Sequence, residues 1–316
     1  MRIVAGLLAL AAAAAQAQSF PTKPIRIIVP YAPGGANDLM ARYVCERFPQ
    51  LLGQPCVVEN RSGAGGMIGI DAAAKAEPDG HTLLMVPNNI ATLPFVYAKV
   101  PYDTQKDLAP IALVSSTPIM VGAHPDFPAK TFAELIAYLK ANSGRVNFTA
   151  CGTASAQHLA GELLAKEAGF KWTHVPYKGC GDALTAVLGG QVPVFISTVA
   201  HFNPQIRSGK LRGYAVMGRA RSAFAPEYPT AIEAGYPDLQ FDLWFGLMTG
   251  SRVPAPIQAR LNTELNKALQ APEVREKLAQ QFYEPIGGTP ERFAQAIRAD
   301  TERYGRAIKE AGIKPE

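Results

Sequence analysis

Ile25-Arg26-Ile27-Ile28-Val29-Pro30-Tyr31-Ala32-Pro33-Gly34-Gly35, continuing into the apolar-periodic segment from Ala36 to Leu52, decides the fold class. The β-branched run predicts a strand, the Pro/Gly cluster ends it, and the 3.6-residue periodicity that follows predicts a helix. The unit recurs at once. Cys56-Val57-Val58-Glu59 predicts a strand, Asn60 to Gly66 a loop, the next segment a helix to about Ala76, and Thr82-Leu83-Leu84-Met85-Val86 another strand. Alternating strands and helices argue for an α/β protein with parallel, helix-covered sheets.

From about Ile119 the alternation begins again. Thr131-Phe132-Ala133-Glu134 forms a capping box that opens a helix to Asn142. Strands are predicted at Val146–Ala150, Trp172–Val175, Val192–Ser197 and Leu211–Met217, with helices at Ser155–Glu167, Asp182–Leu188 and around Phe202–Arg207. Beyond Arg219 the pattern is mostly helical, with a capped turn at Thr230 to Glu233, a strand at Gln240 to Leu247, and Ile257, Leu261, Leu265 and Leu269 at i+4 spacing. A last helix opens with Thr289 as cap and Pro290 in its first position. That tail has too few strands for a sheet of its own, so it is expected to dock on the first lobe. Lobe 1 is then 18–118 and 219–316, and lobe 2 is 119–218. Crossings near Ser115–Val121 and Ala215–Arg219 would hinge a central cleft.

The length of 316 residues agrees with two domains of ~100–200 residues each. An apolar fraction of 48% with 18% charged residues excludes wholesale disorder. The net charge of +5 is scattered along the chain with no basic, aromatic-bearing face, so nucleic acid is not an expected partner. Arg2, the apolar run Ile3 to Ala15, and Ala15-Gln16-Ala17 make a signal-peptide pattern over 1–17, with cleavage after Ala17. The run falls short of the ~20 residues of a spanning helix, so a periplasmic protein that does not itself span the membrane is expected.

Four cysteines bound for an oxidising compartment predict disulfides. Chain geometry favours Cys45 with Cys56: the rest of the helix after Cys45 covers roughly 10 Å at ~1.5 Å per residue. The turn Gly53-Gln54-Pro55 and the next strand retrace that distance at ~3.3 Å per residue. Cys151 then pairs with Cys180, at the ends of two strands expected to be neighbours. No C-x-x-C spacing occurs, and no metal is expected.

In parallel sheets, ligands sit beyond the carboxyl ends of strands, where helix N-termini present unpaired amides. Two loops fit. The first is Tyr31, Ala32, Pro33, Gly34, Gly35, Ala36 and Asn37; the second is Gly152, Thr153, Ala154, Ser155, Ala156 and Gln157. On opposite lobes they would form an anion clamp. Tyr177 ends a strand at the same edge and is a candidate lining residue. Asp38, in the first helical turn, suits a capping or dipole-complementing role better than a catalytic one. Ser155 and His158 would be the pair of an exported serine hydrolase, the main rival reading, but no G-x-S-x-G elbow surrounds the serine. Gly63-Ala64-Gly65-Gly66-Met67-Ile68-Gly69 has three residues before its last glycine, where a dinucleotide fingerprint has two, and no cofactor is expected.

With these residues the sequence resembles the substrate-binding receptors of tripartite tricarboxylate transporters, the Bug family. The matching pieces include Val29 to Gly35, Glu59 to Gly66, Pro78 to Leu84, Pro101-Tyr102-Asp103, His158 to Leu163 and His174 to Gly179. They continue with Gly189 to Val192, Ser208 to Arg212, Pro229-Thr230 and Glu233 to Gly235. The resemblance implies a bilobed periplasmic-binding-protein type II fold closing on a small carboxylate, and a receptor rather than an enzyme. It implies a carboxylate held by backbone amides and waters, which points to Tyr31 through Asn37, Asn88, and Gly152 through Gln157. Ala36-Asn37-Asp38 stands where relatives often have a third glycine and then Thr-Asp, and Asn37 adds an amide near the clamp. The implied partners are the carboxylate and, transiently, integral-membrane transporter subunits; a monomer is expected. A ligand-loaded partner of a sensor is a third reading.

Overall fold

The computed structural model describes residues 20–153, 155–310 and 312; the expected signal peptide and Ala154 lie outside the described residues. Lobe 1 begins with β1 (Ile25–Val29), α1 (Ala36–Leu52), β2 (Cys56–Asn60), α2 (Met67–Ala74) and β3 (Thr82–Pro87). A 16-residue strand, β4 (Leu108–Ala123), then runs through the hinge into lobe 2. There follow α3 (Phe132–Ala141), β5 (Asn147–Thr149), α4 (Ala156–Ala168), β6 (Thr173–His174), α5 (Cys180–Leu188), β7 (Val194–Thr198), α6 (Val199–Arg207) and β8 (Arg212–Val216). The chain ends with β9 (Asp242–Gly250), α7 (Ala255–Gln270), α8 (Pro272–Gln280), β10 (Glu284–Gly287) and α9 (Pro290–Glu310).

The expected caps form. Thr131 Oγ1 accepts from the N–H of Glu134, Thr230 Oγ1 from Glu233, and Thr289 Oγ1 from Arg292. Both expected disulfides are present, with Cα–Cα distances of 5.3 Å for Cys45–Cys56 and 4.1 Å for Cys151–Cys180.

One mixed sheet joins the lobes in the order β2-β1-β3-β9-β4-β7-β5-β6, with β10 and β8 also paired to β4. The outer pairs β1–β2, β1–β3, β5–β6 and β5–β7 are parallel, as the alternation predicts. The pairs made by β4 and β9 in the middle are antiparallel. These strands carry the chain between lobes, so they do not return through helical crossovers. β9 is antiparallel to both β3 and β4, so β3 and β4 point the same way, toward lobe 2. β7 is antiparallel to β4, so it and β5 point toward lobe 1. The loops after β1, β5 and β7 therefore leave their sheets toward the space between the lobes.

At the hinge three strands exchange backbone bonds in a ring. Ile119 N–H donates to Phe241 O (3.0 Å), Phe241 N–H to Met217 O (2.6 Å), and Met217 N–H to Ile119 O (2.6 Å). Each lobe buries apolar residues on both faces of its sheet. Val29, Phe48 and Leu261 share one lobe 1 core, and Ile28, Ile70 and Phe293 the other. Phe148, Leu159 and Ile196 share one lobe 2 core, and Val187, Phe195 and Phe202 the other. Ala231, Leu239 and Phe241 pack into the Phe148 core together with Tyr304, Ala307 and Ile308. α9, 21 residues and so about 30 Å long, thus lies on lobe 1 through Phe293 and Ile297 and on lobe 2 through its last turns.

Candidate functional site

The β1–α1 loop is stretched open and then locked. Ala32, Pro33, Gly34 and Gly35 are exposed, while Asn37 and Asp38 are buried. Gly34 has φ +86° with open space where a Cβ would sit, so the backbone conformation, not crowding, demands glycine. Asp38 fixes that conformation. Its Oδ2 accepts from Gly34 N–H (2.9 Å) and Arg42 Nε (2.8 Å), and its Oδ1 from Asn60 Nδ2 (3.0 Å). Burial raises the Asp38 pKa, but Arg42, the Gly34 amide and Asn60 outweigh it and hold the carboxyl below its ordinary value. Asn60 Nδ2 also reaches Tyr31 O (3.1 Å), and Tyr31 donates its hydroxyl to Gly65 O (3.2 Å). A Cβ on Gly66 would lie 2.9 Å from that hydroxyl, which accounts for the glycine-rich loop after β2.

With Gly34 N–H committed to Asp38, the helix start still offers donors. The α1 cap residue, Gly35, has no side chain to bond the first turn, so the amides of Ala36 and Asn37 lack the intrahelical partners that later residues have. They favour an anion. The Asn37 side chain uses one N–H of its Nδ2 on Met85 O (2.8 Å), and its Oδ1 is buried without a protein partner.

The facing loop, after β5, is built differently. Cys151 is tied to Cys180, the first residue of α5. Gly152 has φ +126°, and a Cβ there would lie 3.5 Å from Tyr177 O, which places Tyr177 beside the loop. Thr153 is exposed. Ser155 caps α4: its Oγ accepts from His158 N–H (3.2 Å) and donates to Gly152 O (2.8 Å). The buried Ala156 and Gln157 follow in the first turn with amides still unpaired by the helix. The His158 ring stacks on His174 at 3.8 Å and lies 3.4 Å from Glu162 Oε1.

Asn88, at the end of β3, is buried, and its Nδ2 donates to Asp242 O (3.0 Å) and Tyr304 Oη (2.9 Å). Its side-chain donors hold strand β3 against the hinge and α9. The Ser197-Thr198-Val199-Ala200-His201 segment, where β7 turns into α6, also reaches this region. The helix expected at Phe202 begins three residues earlier, at Val199, and only the β5–β7 register reveals that Ser197 falls beside Cys151. The donor atoms of Cys151, Cys180 and His201 lie within 4.8 Å of one another, the two sulfurs being joined as the disulfide. Among the described residues no helix is long and apolar enough to cross a membrane.

Residues 40–313 match the model of the tripartite tricarboxylate transporter family receptor. Protein BugT of Bordetella pertussis is 36% identical over 305 residues, covering 96% of this chain and 94% of BugT. Among solved structures, MatC from Rhodopseudomonas palustris with bound malate superposes with TM-score 0.76 at 31% identity, covering 92% of this chain and 100% of MatC. Rpa4515 of R. palustris with adipate superposes with TM-score 0.81 at 29% identity, covering 94% of this chain and 100% of the other.

Proposed function

The chain belongs to the tripartite tricarboxylate transporter receptor family, a family of substrate-binding receptors and not of enzymes, and from that membership we propose its particular task. Exported to the periplasm by its signal peptide, it captures a small organic carboxylate between the lobes as a monomer and delivers it to integral-membrane transporter subunits. The observation that carries this reading is the start of α1, an exposed glycine-capped helix N-terminus whose loop is locked by Asp38 and aimed at lobe 2. The β5–α4 loop supplies the second set of amides, with Thr153 and Tyr177 beside it. Malate in one structural neighbour and adipate in another support a carboxylate as the ligand.

Screening against mono-, di- and tricarboxylates by thermal shift tests this. A ligand at 100 times its dissociation constant adds about 2.7 kcal/mol to stability. A strong shift with one acid, and little with its neutral amide, is the expected result, because only the anion exploits the helix starts. Equal stabilisation by acid and amide would overturn the backbone clamp, and no shift with any acid would overturn the carboxylate.

A further inference from the structure

Lobe 2 brings a third strand end to the space between the lobes. β7 runs parallel to β5 with Phe195 opposite Thr149. Two residues further on, Ser197 Oγ lies 3.4 Å from Cys151 Sγ, at the start of the β5–α4 loop. Thr198 precedes α6 but does not cap it; its Oγ1 turns to His201 Nδ1 (3.0 Å), which Ser197 Oγ also approaches (2.8 Å). Ala200, next to His201, packs against the lobe 1 core that also receives Tyr31 and Ala36. His201 therefore stands where lobe 2 meets lobe 1, against the second binding loop, and it keeps part of its surface open.

We infer that His201 is a ligand-binding residue, donating an N–H from Nε2 to an oxygen of the ligand other than the carboxylate held by the two loops. The inference rests on the solute-binding reading above. In the proposed arrangement a hydroxyl of Ser197 or Thr198 donates to Nδ1, which leaves the proton of the neutral ring on Nε2. Burial holds the His201 pKa below its ordinary value, so the ring is neutral around pH 7. A ring already fixed by two hydroxyls loses little freedom when it binds. The ligand class that uses such a donor is a small acid with a second oxygen function: a hydroxyl, a keto group or a second carboxylate.

The test is calorimetric titration of wild type, His201→Ala and His201→Gln with malate, adipate and butyrate, with circular dichroism to check folding. His201→Ala should weaken the tighter of malate and adipate about tenfold, the loss of one hydrogen bond, and leave butyrate unchanged. His201→Gln, which retains a side-chain N–H donor, should recover most of the loss. In wild-type protein labelled with 15N-histidine, the Nε2 resonance should move when that acid is added, a readout that stands even if His201→Ala fails to fold. Equal affinities in wild type and His201→Ala, equal weakening of all three acids, or an unmoved Nε2 resonance would overturn the inference while leaving the receptor reading intact. Failure of wild type to bind any of the three would overturn the inference, and the receptor reading falls with it only if the wider carboxylate screen is also silent.

Discussion

The N–H of Gly34 donates to Oδ2 of Asp38 across 2.9 Å, closing the β1–α1 loop onto the helix it precedes. A residue in a first helical turn ordinarily complements the dipole from outside. Asp38 does so from a buried position, 2% exposed, while organising Gly34, Arg42 and Asn60 around one carboxylate.

Asp38→Ala leaves the Asn60 amide and Gly34 N–H without their acceptor and should cost about 1–3 kcal/mol of stability, with a larger loss of ligand affinity as the loop opens. The pH dependence follows from the sign of the shift. The folded-state pKa is lowered, so the stabilisation is present above the ordinary carboxylate value and is lost as pH falls through the depressed one. Denaturant unfolding at neutral and acidic pH should show wild type losing this contribution and Asp38→Asn lacking it throughout; parallel curves would refute the lock.

The two disulfides close loops of different span, 29 residues for Cys151–Cys180 and 11 for Cys45–Cys56. In the chain-entropy account each contributes on the order of 2–4 kcal/mol, and the longer one about 1 kcal/mol more than the shorter. Replacing Cys151 and Cys180 by serine should therefore cost more stability than replacing Cys45 and Cys56, and on the proposed reading only the first pair should weaken ligand binding, because only Cys151 adjoins one of the two candidate loops. Non-reducing peptide mapping that finds Cys45 linked to Cys180 would contradict both expectations.

How much of this was legible in the sequence depended on whether the cause was local. The helix caps at Thr131, Thr230 and Thr289 each depend on a hydroxyl and an amide three residues away, and each was read correctly. Cys45–Cys56 depended on a turn and was equally readable, while Cys151–Cys180 depended on two strands expected to be neighbours. β4 was not: Ser115, Thr117 and two prolines interrupt its apolar pattern, and it extends to 16 residues because β9 and β10 pair it below the hinge and β7 and β8 above. β10 was missed for a related reason, since it is a four-residue strand defined by its pairing with Leu113 to Ser116, whereas α8 carries local signals, Pro272 and Glu273 in its first turn, that went unread. The backbone of the β1–α1 loop was announced by Pro33, Gly34 and Gly35. The group Ser197, Thr198 and His201 depends on the β5–β7 register, which no local signal encodes.

Asp242 provides a pH test of the hinge. It lines a cavity of about 480 Å³ with Arg219, Asp300 and Arg303. Burial first, and then the Asp300 carboxylate, push it up to about 6, with Arg303 and Arg219 acting in the other direction. A carboxyl raised in the folded state holds a proton that the unfolded chain gives up, so its contribution falls as pH rises from about 4 to about 6. Asp242→Asn removes that decline and should raise stability at pH 7 by up to about 3 kcal/mol, with a smaller gain at pH 5. Urea unfolding at the two values checks it; an equal or negative effect at pH 7 would show the carboxylate to be stabilised there by the two arginines.

Ser155 separates a capping residue and anion clamp from a nucleophile. Its hydroxyl already accepts from His158 N–H and donates to Gly152 O, so its present work is to end the loop and start α4. Ser155→Ala should cost about 1 kcal/mol of stability, the usual loss of a cap, and weaken ligand binding only modestly. Ser155→Asp should behave in the opposite way. Aspartate caps a helix as well as serine does and complements its dipole, so the melting temperature is retained. Its charge, however, stands where the ligand carboxylate is to be held, and like charges in a partly buried site repel strongly. Binding of a carboxylate by Ser155→Asp should therefore be lost from a protein as stable as wild type, and raising the salt concentration should restore little of it, since a buried pair is screened far less than an exposed one. A serine hydrolase would lose turnover in both variants and would take a label from a serine-directed phosphonate in wild type. Undiminished carboxylate binding by the aspartate variant would place the ligand away from the α4 start and remove the second half of the clamp.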